Sequence, residues 1–536
     1  MNFNSQIWGC IGSGTAIIFL SGCTGEIDDL PNILFCIADD ASFPHMGQEV
    51  DWINTPGFDR VAEEGLLFSS AYTPNAKSAP SRSCLLTGRN SWQLEEAANH
   101  FCYFPSKFKT YPEVLGENGY HVGYTGKGWV PGDPGTLNGK PRELVGKEWN
   151  QIRTQPPTRY ISPIDYSANF EAFYNAKPGD QPFCFWYGGH EPHRRYEYGS
   201  SIKVGKLPDD IDIVPAFLPD EEEIRTDLLD YALEIEYFDS HLQEILAFLD
   251  EKGDLENTIV VVTADNGMPF PRAKSDEYEY SNHVPLAIMW KKGIRNSGRT
   301  IHDYISFVDL APTFLEVSGI IWSESGMHPT PGKSLSPLFR GRKSKHPFNE
   351  FVLIGKERHD VGRPDDLGYP IRGIVRDGWL YLKNYRTDLW PAGNPQTGYP
   401  TVGGSPTKTW ILENRKTPGK EHFWNWSFGK RPVEELYYLE KDPWCLINLA
   451  GSAEYDSLRQ NIKNKMEDEL RLQEDPRMFG KGDVFQQYIF SDERWRNGYE
   501  KIVIQKKKLV FPWINASDID PGFEELGSGS DTVTIE

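Results

Sequence analysis

Four apolar runs along the chain share one pattern, in which an unbroken stretch of hydrophobic residues is followed at once by polar residues. The runs occupy residues 32–38, 121–125, 183–187 and 258–263. A strand buried on both faces is continuously apolar, as in a parallel sheet, whereas a strand with one solvated face alternates. The pattern therefore predicts four buried strands of an open α/β sheet.

Each run is followed by side chains that can bind an ion or move a proton. In chain order these side chains are Asp39 and Asp40, Lys127, His190, and Asp265 with Asn266. Open α/β sheets bind ligands beyond the carboxyl ends of their strands. If the four strands are parallel neighbours, these side chains meet at one edge, and the simplest interpretation is an active site there.

The segments between and after these runs predict helices and a second sheet. Apolar residues recur at spacings of three and four over residues 227–251, which is typical of an amphipathic helix that Gly253 would cap. Residues 373–382 form two apolar stretches around Asp377 and Gly378, which indicates a β-hairpin. A further helix is expected from about residue 455 to residue 473.

These patterns predict an α/β fold with a large mixed, mostly parallel sheet flanked by helices, and a smaller C-terminal α+β domain on an antiparallel sheet. A length of 536 residues favours more than one domain. The expected divisions are residues 1–22 as a signal peptide, 23–365 as the catalytic domain, 366–480 as the antiparallel-sheet subdomain, and 481–536 as a partly mobile extension.

The charge of the chain limits its partners. A formal net charge of −21 argues against nonspecific nucleic-acid binding, which needs a basic face. It does not exclude an anionic substrate, because a local basic pocket can lie within an acidic protein.

The N-terminal segment predicts export. Residues 1–22 have no charged side chain, residues 16–20 are apolar, and residues 20–23 resemble a bacterial lipoprotein cleavage site. We expect cleavage before Cys23, lipidation of Cys23, and a location in the cell envelope with membrane contact only through the lipid. A buried N-terminal strand is the alternative.

The segment that begins at Ser78 is the most informative motif. Pro80 suits the first turn of a helix, whose N-terminus favours an anion, and Arg82 adds a planar cation suited to oxyanions. From these residues alone, a capped helix with a surface arginine is the competing interpretation.

The longer motif resembles a known family. Residues 78–82 (SAPSR) and 86–89 (LTGR) resemble the signature of the type I, formylglycine-dependent sulfatases of the alkaline phosphatase superfamily. The resemblance implies that Ser78 is oxidised to formylglycine by a sulfatase-maturating enzyme, and that the hydrated aldehyde, polarised by Arg82, attacks sulfur. Many members carry Cys at this position, so an engineered Cys-to-Ser change would leave the same sequence.

The resemblance also assigns a metal site. Oxygen ligands suit Ca²⁺ or Mg²⁺ better than zinc. In the family, the positions of Asp39, Asp40, Ser78, Asp265 and Asn266 hold one divalent cation, usually Ca²⁺. Without the resemblance, the aspartates after the first run would equally suit a helix cap, and the Asp-Asn-Gly sequence a tight turn.

Three further residues match catalytic positions of the family. Lys127 and Lys274 are expected to contact the substrate sulfate, and His190 is expected to protonate or orient the leaving group. One position departs from the pattern, because Trp129 stands where a catalytic histidine is usual. The alternative for each lysine is a solvated surface residue.

The likeness extends over roughly residues 30–475 and favours one branch. Residues 190–194, 265–271 and 369–372 resemble motifs of heparan N-sulfatase-like enzymes, a branch that also contains bacterial sulfatases of marine polysaccharides. The charged cluster of residues 357–360 is a candidate sugar subsite or a surface loop.

We therefore expect a sulfatase that acts on oligosaccharides derived from ulvan-, carrageenan- or glycosaminoglycan-type polymers. Three alternatives stay open: an N-sulfoglucosamine sulfohydrolase, a phosphomonoester or phosphonate hydrolase on the same fold, and an inactive glycan-binding lipoprotein.

Overall fold

The computed structural model describes residues 30–341 and 345–523. The expected signal peptide, Cys23 and the final residues 524–536 of the expected mobile tail lie outside the described residues. No helix within the described ranges is long and apolar enough to cross a membrane.

The four predicted buried strands and the predicted hairpin are present within a longer series of strands. They are β1 (Asn32–Ala38), β2 (Leu66–Phe68), β3 (Ala71–Tyr72), β4 (Cys102–Tyr103), β5 (His121–Gly126), β6 (Gly132–Asp133), β7 (Thr136–Leu137), β8 (Lys140–Pro141), β9 (Lys147–Glu148), β10 (Phe183–Gly188), β11 (Thr258–Ala264), β12 (Leu286–Met289), β13 (Arg299–Ile301), β14 (Ile305–Ser306), β15 (Phe351–Lys356), β16 (Ile371–Arg376), β17 (Trp379–Asn384) and β18 (Glu434–Tyr438).

The α-helices pack around the two larger sheets. They are α1 (Pro56–Glu64), α2 (Ser78–Thr87), α3 (Tyr111–Glu117), α4 (Tyr166–Asn175), α5 (Ser200–Lys203), α6 (Glu222–Lys252), α7 (Glu279–Asn282), α8 (Leu310–Val317), α9 (Ser336–Phe339), α10 (Pro406–Glu413), α11 (Glu421–Phe428), α12 (Asp456–Leu472) and α13 (Val484–Gln487).

The main sheet has eight strands in the order β13-β2-β12-β11-β1-β10-β5-β9. Its centre, β11-β1-β10-β5, is parallel throughout, whereas β12 runs antiparallel to both of its neighbours. Alternate residues of β1 enter two separate hydrophobic layers, one on each face of the sheet. This burial on both faces explains the continuous apolar runs and confirms the mixed, mostly parallel sheet.

The second sheet is antiparallel in the order β15-β16-β17-β18. The predicted hairpin joins β16 to β17, with Asp377 and Gly378 at positive φ in its turn. Strand β15 begins at Phe351, so the expected division at residue 366 falls inside this sheet, between β15 and β16. The apolar run of β15 was not recognised because it is separated from its partner β16 by a long loop.

Helix α6 is the predicted amphipathic helix, and it begins five residues before the predicted start, at Glu222 rather than Asp227. Its C-terminus is closed by Gly253 at φ 76°, whose N–H bonds the carbonyls of Leu249 and Asp250. Helix α12 matches the helix expected over residues 455–473 to within one residue at each end.

Candidate active site

The predicted side chains meet at the carboxyl edge of the main sheet. Asp39 and Asp40 directly follow β1, and Lys127 directly follows β5. His190 comes two residues after β10, and Asp265 directly follows β11. Because these four strands are parallel neighbours, their carboxyl ends converge, as the sequence pattern predicted.

A glycine lets two of these strand ends close on each other. The backbone N–H of Lys127 donates to the carbonyl of Gly188 at 2.7 Å. A Cβ atom at Gly188 would lie 1.9 Å from the carbonyl oxygen of Lys127. Only glycine permits this approach, which brings the lysine beside the end of β10.

Ser78 is the first residue of helix α2 and is 2% exposed. Its hydroxyl donates to Asp39 Oδ1 at 3.0 Å and accepts from Lys127 Nζ at 3.0 Å. The ammonium of Lys127 also contacts Asp39 Oδ2. Ser78 therefore lies between a carboxylate and a cation, at a helix end whose free N–H groups favour negative charge.

Three buried carboxylates form a cluster behind Ser78. Oxygen atoms of Asp39, Asp40 and Asp265 all lie within 4.8 Å of one another. The amide of Asn266 donates to Asp40 Oδ1 at 2.8 Å, and the N–H of Asp40 donates to Asp265 Oδ1 at 3.1 Å. Asp40 has φ 83°, a left-handed backbone that costs a non-glycine residue of order 1–3 kcal/mol and is common at functional sites.

Two buried cations, Arg82 and Lys274, balance the negative charge of this cluster. Arg82 Nε donates to Asp265 Oδ2 at 2.9 Å, and its Nη1 donates to the carbonyls of Lys127 and Gly128, both at 2.9 Å. Lys274 contacts Asp40 Oδ1 and donates to Asn266 Oδ1 at 3.3 Å. Arg82 is fully buried, so here it holds the carboxylate cluster and the Lys127 backbone in place.

The cations set the protonation of the cluster. Burial, the largest single influence, raises the pKa of Asp39 and of Asp40, but the surrounding cations together outweigh it. Lys127 contributes most of the lowering at Asp39 and Lys274 most of it at Asp40, so both pKa values lie below the ordinary value. His190 is exposed to the cavity, yet desolvation in the recess, followed by repulsion from Lys127, lowers its pKa to about 4. At neutral pH the aspartates are therefore ionised and His190 is neutral.

The cluster fits one hard divalent cation. Its donor atoms are oxygens from three carboxylates and one amide, and Asp40 Oδ2 has no hydrogen-bond partner among the described residues. Negative charges on carboxylates at such distances repel one another, and a cation relieves the repulsion. The oxygen-only set suits Ca²⁺ or Mg²⁺ rather than zinc.

A cavity of about 540 Å³ opens over this edge. We call its inner part the cavity floor, formed by Asp39, Ser78, Lys127, His190 and Lys274, and its outer part the outer wall, formed by Phe101, His100, Asp360, Thr401 and Trp513. Four of the residues expected at the reaction centre do not line the cavity and lie beneath the floor: Asp40, Arg82, Asp265 and Asn266.

Several lining residues were missed by the sequence reasoning. His193 lines the cavity with its Nε2 3.9 Å from Asp40 Oδ2, and Lys77 precedes Ser78 directly. His193 lies three residues after His190, and Lys77 lies one residue before Ser78, so their proximity to predicted site residues could have indicated both. His100 and Thr401 come from distant loops, and no local pattern marks them.

Trp129 does not enter the cavity. Its side chain is 5% exposed, its Nε1 donates to Ser83 Oγ at 2.8 Å, and its ring packs edge-on against Phe104. The position that carries a catalytic histidine in the family is therefore a core residue here, and Trp129 takes no part in proton transfer.

Only Asp360 of the charged cluster 357–360 lines the cavity. Its carboxylate bonds Lys77 Nζ at 2.8 Å and His100 Nδ1 at 3.1 Å. Burial raises the pKa of Asp360, but Lys77 and His100 together outweigh burial and lower that pKa to about 2, so Asp360 is ionised. Glu357 is instead buried against Arg372 and Arg477, and it lies outside the cavity.

Residues 31–320 match the family described as Sulfatase, so the chain belongs to that family and is a sulfuric ester hydrolase. It is 27% identical over 461 residues to an ulvan-active sulfatase of Formosa agariphila, covering 84% of this chain and 82% of that one. It is 28% identical over 469 residues to human N-sulphoglucosamine sulphohydrolase, covering 81% of this chain and 89% of that one.

Solved structures share the fold. The protein BT4656, determined in complex with its substrate D-glucosamine-2-N,6-O-disulfate, superposes with a TM-score of 0.60 at 19% identity. The superposition covers 83% of this chain and 98% of BT4656. The expected sulfatase fold is confirmed.

Proposed function

We propose that this enzyme removes sulfate groups from sulfated oligosaccharides of the ulvan, carrageenan or glycosaminoglycan type. The observation that carries the proposal is the placement of Ser78 at the start of α2, in contact with Asp39 and Lys127 and above the carboxylate cluster. Sulfated-sugar substrates of two similar proteins, one acting on ulvan and one on N-sulphoglucosamine, support a glycan rather than an aryl substrate.

Residue 78 is the proposed nucleophile. Oxidised to formylglycine by a maturating enzyme and hydrated, it would supply a diol oxygen for in-line attack on sulfur. The bond from sulfur to the sugar oxygen would break in that step, and the sulfated hydrate would then expel sulfate and restore the aldehyde. The chain prepares that oxygen, because Asp39 accepts a hydrogen bond from it while Lys127 donates one. Lys127 lies within reach of a sulfate above Ser78 and would orient it as a charged donor.

Asp39, Asp40, Asp265 and Asn266 would hold one divalent cation, proposed to be Ca²⁺. When bound, it would supply positive charge to the oxygens of residue 78 and of the sulfate. Arg82 and Lys274 position the ligands by their contacts with Asp265 and Asp40.

His190 is the proposed proton donor to the departing sugar oxygen. The free site keeps its imidazole neutral, because desolvation and Lys127 lower its pKa to about 4. An anionic sulfate ester entering the cavity favours the imidazolium and raises that pKa. Substrate binding would thus prepare the proton that the leaving group needs.

Comparing sulfate and phosphate esters tests the proposal against a phosphatase. Enzyme produced with a maturating enzyme should release sulfate from sulfated glucosamine and galactose derivatives, and far less phosphate from the matching phosphate esters. Faster phosphate release, or turnover of neither, would contradict the proposed function and favour the phosphoester hydrolase or the silent binding protein.

We also propose a lipid anchor at Cys23, supported by the lipoprotein-like sequence of residues 20–23. In a bacterial host with lipoprotein processing, Cys23→Ser should move the protein from the membrane fraction to the soluble fraction. Retention in the membrane fraction, or a mature N-terminus elsewhere, would contradict the anchor.

A further inference from the structure

A late segment of the chain completes the mouth of the cavity. Trp513 lines the same cavity as Ser78 although 435 positions separate them in the sequence. Its Nε1 donates to the carbonyl of Pro400 at 2.7 Å, and its own carbonyl accepts from the N–H of Gly404 at 2.8 Å. The first contact holds the indole ring at the outer wall, and the second holds the backbone of Trp513 there.

The ring is supported from behind by a small hydrophobic cluster. Phe511 stacks on Trp513 with ring centroids 5.1 Å apart, and Trp495 meets it edge-on at 5.7 Å. Phe490 and Val361 are buried in the same cluster. Because Trp513 is held by packing and is still only partly buried, it offers a rigid aromatic surface at little cost in conformational entropy.

An unpaired cation lies beside this ring. Arg195 is exposed, lines the cavity, and donates from Nη2 to the carbonyl of Pro512 at 3.0 Å. Within residues 30–341 and 345–523 it forms no ion pair with a carboxylate. Its neighbour Arg194 differs, because that guanidinium is bound by both oxygens of Asp227 at 2.7 and 2.9 Å.

The part of the outer wall that contains Trp513 is connected to Ser78 through Lys77. Lys77, next to Ser78, donates to the carbonyl of Thr401 at 3.3 Å. Thr401 follows Pro400, whose carbonyl holds Trp513. The volume of 540 Å³ is within the roughly 300–1,000 Å³ of sites for drug-sized ligands, so the cavity can hold more than one sulfate group.

We propose, on the basis of the sulfatase function above, that Trp513 and Arg195 form a second sugar subsite. It binds a neighbouring ring that carries its own anionic group. The apolar C–H face of a pyranose packs on the indole, while the guanidinium fork matches the oxygens of a sulfate or a carboxylate. The substrate class is then an oligosaccharide with negative charge on two adjacent units.

Binding to the inactive Ser78→Ala variant tests the subsite independently of turnover. Calorimetry would use a monosulfated monosaccharide and three disaccharides whose second ring is neutral, sulfated or a uronate. Arg195→Ala should weaken binding of an anionic second ring about tenfold, the size of a lost charge-assisted hydrogen bond. It should leave the monosaccharide and the neutral disaccharide unchanged.

Trp513→Ala should weaken all three disaccharides and spare the monosaccharide. Arg494→Ala is the matched control, because Arg494 is an exposed arginine of the same C-terminal segment that pairs with Asp492 outside the cavity. It should change nothing. If Arg195→Ala weakens binding of only the sulfated or only the uronate disaccharide, the result would support the subsite and identify the anion that it prefers.

Equal losses for the monosaccharide, or unchanged disaccharide binding in both variants, would overturn the subsite. Sulfate release by the matured Ser78 enzyme is measured in parallel with the same sugars. If the matured enzyme releases no sulfate while the affinities change as expected, the proposed sulfatase reaction is overturned and the subsite stands. The two failures are therefore distinguishable.

Discussion

The cavity floor and the outer wall of this enzyme are built in different ways. Floor residues Asp39, Lys127 and His190 directly follow, or lie within two residues of, the ends of parallel strands. The outer wall collects His100, Asp360 and Trp513 from loops far apart in the chain. The difference teaches that the reaction follows from the sheet, whereas recognition of the sugar depends on how the loops pack over it.

The two regions also differ in electrostatics. Beneath the floor, three carboxylates and the cations Arg82 and Lys274 neutralise one another at short range. The outer wall has one ionised carboxylate, Asp360, shared by Lys77 and His100, and the exposed Arg195 lies nearby at the rim. Changes to the floor should therefore reduce the rate of the reaction, and changes to the wall should alter affinity.

The largest effect is expected from Asp265→Ala, beneath the floor. Loss of one carboxylate leaves Arg82 without its main partner and removes a proposed metal ligand, so sulfate release should fall on the order of 10³-fold. Metal content by mass spectrometry of the purified protein should fall in parallel. Full activity of this variant after treatment with a chelator would contradict the assignment of the cluster.

A smaller loss, about 10²-fold, is expected for His190→Ala on sugar sulfates, because a positioned proton donor contributes at least that much. The loss should shrink with 4-nitrophenyl sulfate, whose leaving group needs no proton. Steady-state kinetics with both substrates measures the contrast. An equal loss on both would show that His190 binds sulfate rather than donating a proton.

Asp360→Asn should affect the outer wall alone. Removing the charge weakens the contacts by which Asp360 holds Lys77 and His100 at the cavity, so KM for the oligosaccharide should rise roughly tenfold while kcat changes little. A thermal melt serves as the control, because Lys77 loses its buried partner in this variant. A fall in kcat with unchanged KM would show that Asp360 acts in the reaction rather than in binding, which would contradict the division between floor and outer wall.

This contrast between regions also explains what could be predicted from the sequence. The four buried strands, the hairpin at Asp377 and helices α6 and α12 were predictable because burial and turn chemistry leave periodic local patterns. The carboxylates and Lys127 were predictable because each one directly follows such a strand.

The remaining features depend on tertiary packing. The direction of the Trp129 side chain, into the core against Phe104, has no local signal. The same holds for Arg82, which the family resemblance assigned to the hydrate and which lies buried against Asp265. Trp513 is positioned by Pro400 and Phe511, and no pattern in its own segment points to the cavity.

Peptide mass spectrometry shows whether Ser78 is converted into the aldehyde that is proposed to perform the reaction. The peptide containing Ser78 is weighed in preparations made with and without a serine-competent maturating enzyme, and sulfate release is measured on the same samples. We expect a peptide lighter by two hydrogen atoms only in the matured sample, with sulfate release proportional to the converted fraction. Sulfate release from a preparation in which Ser78 is wholly unmodified would contradict this expectation.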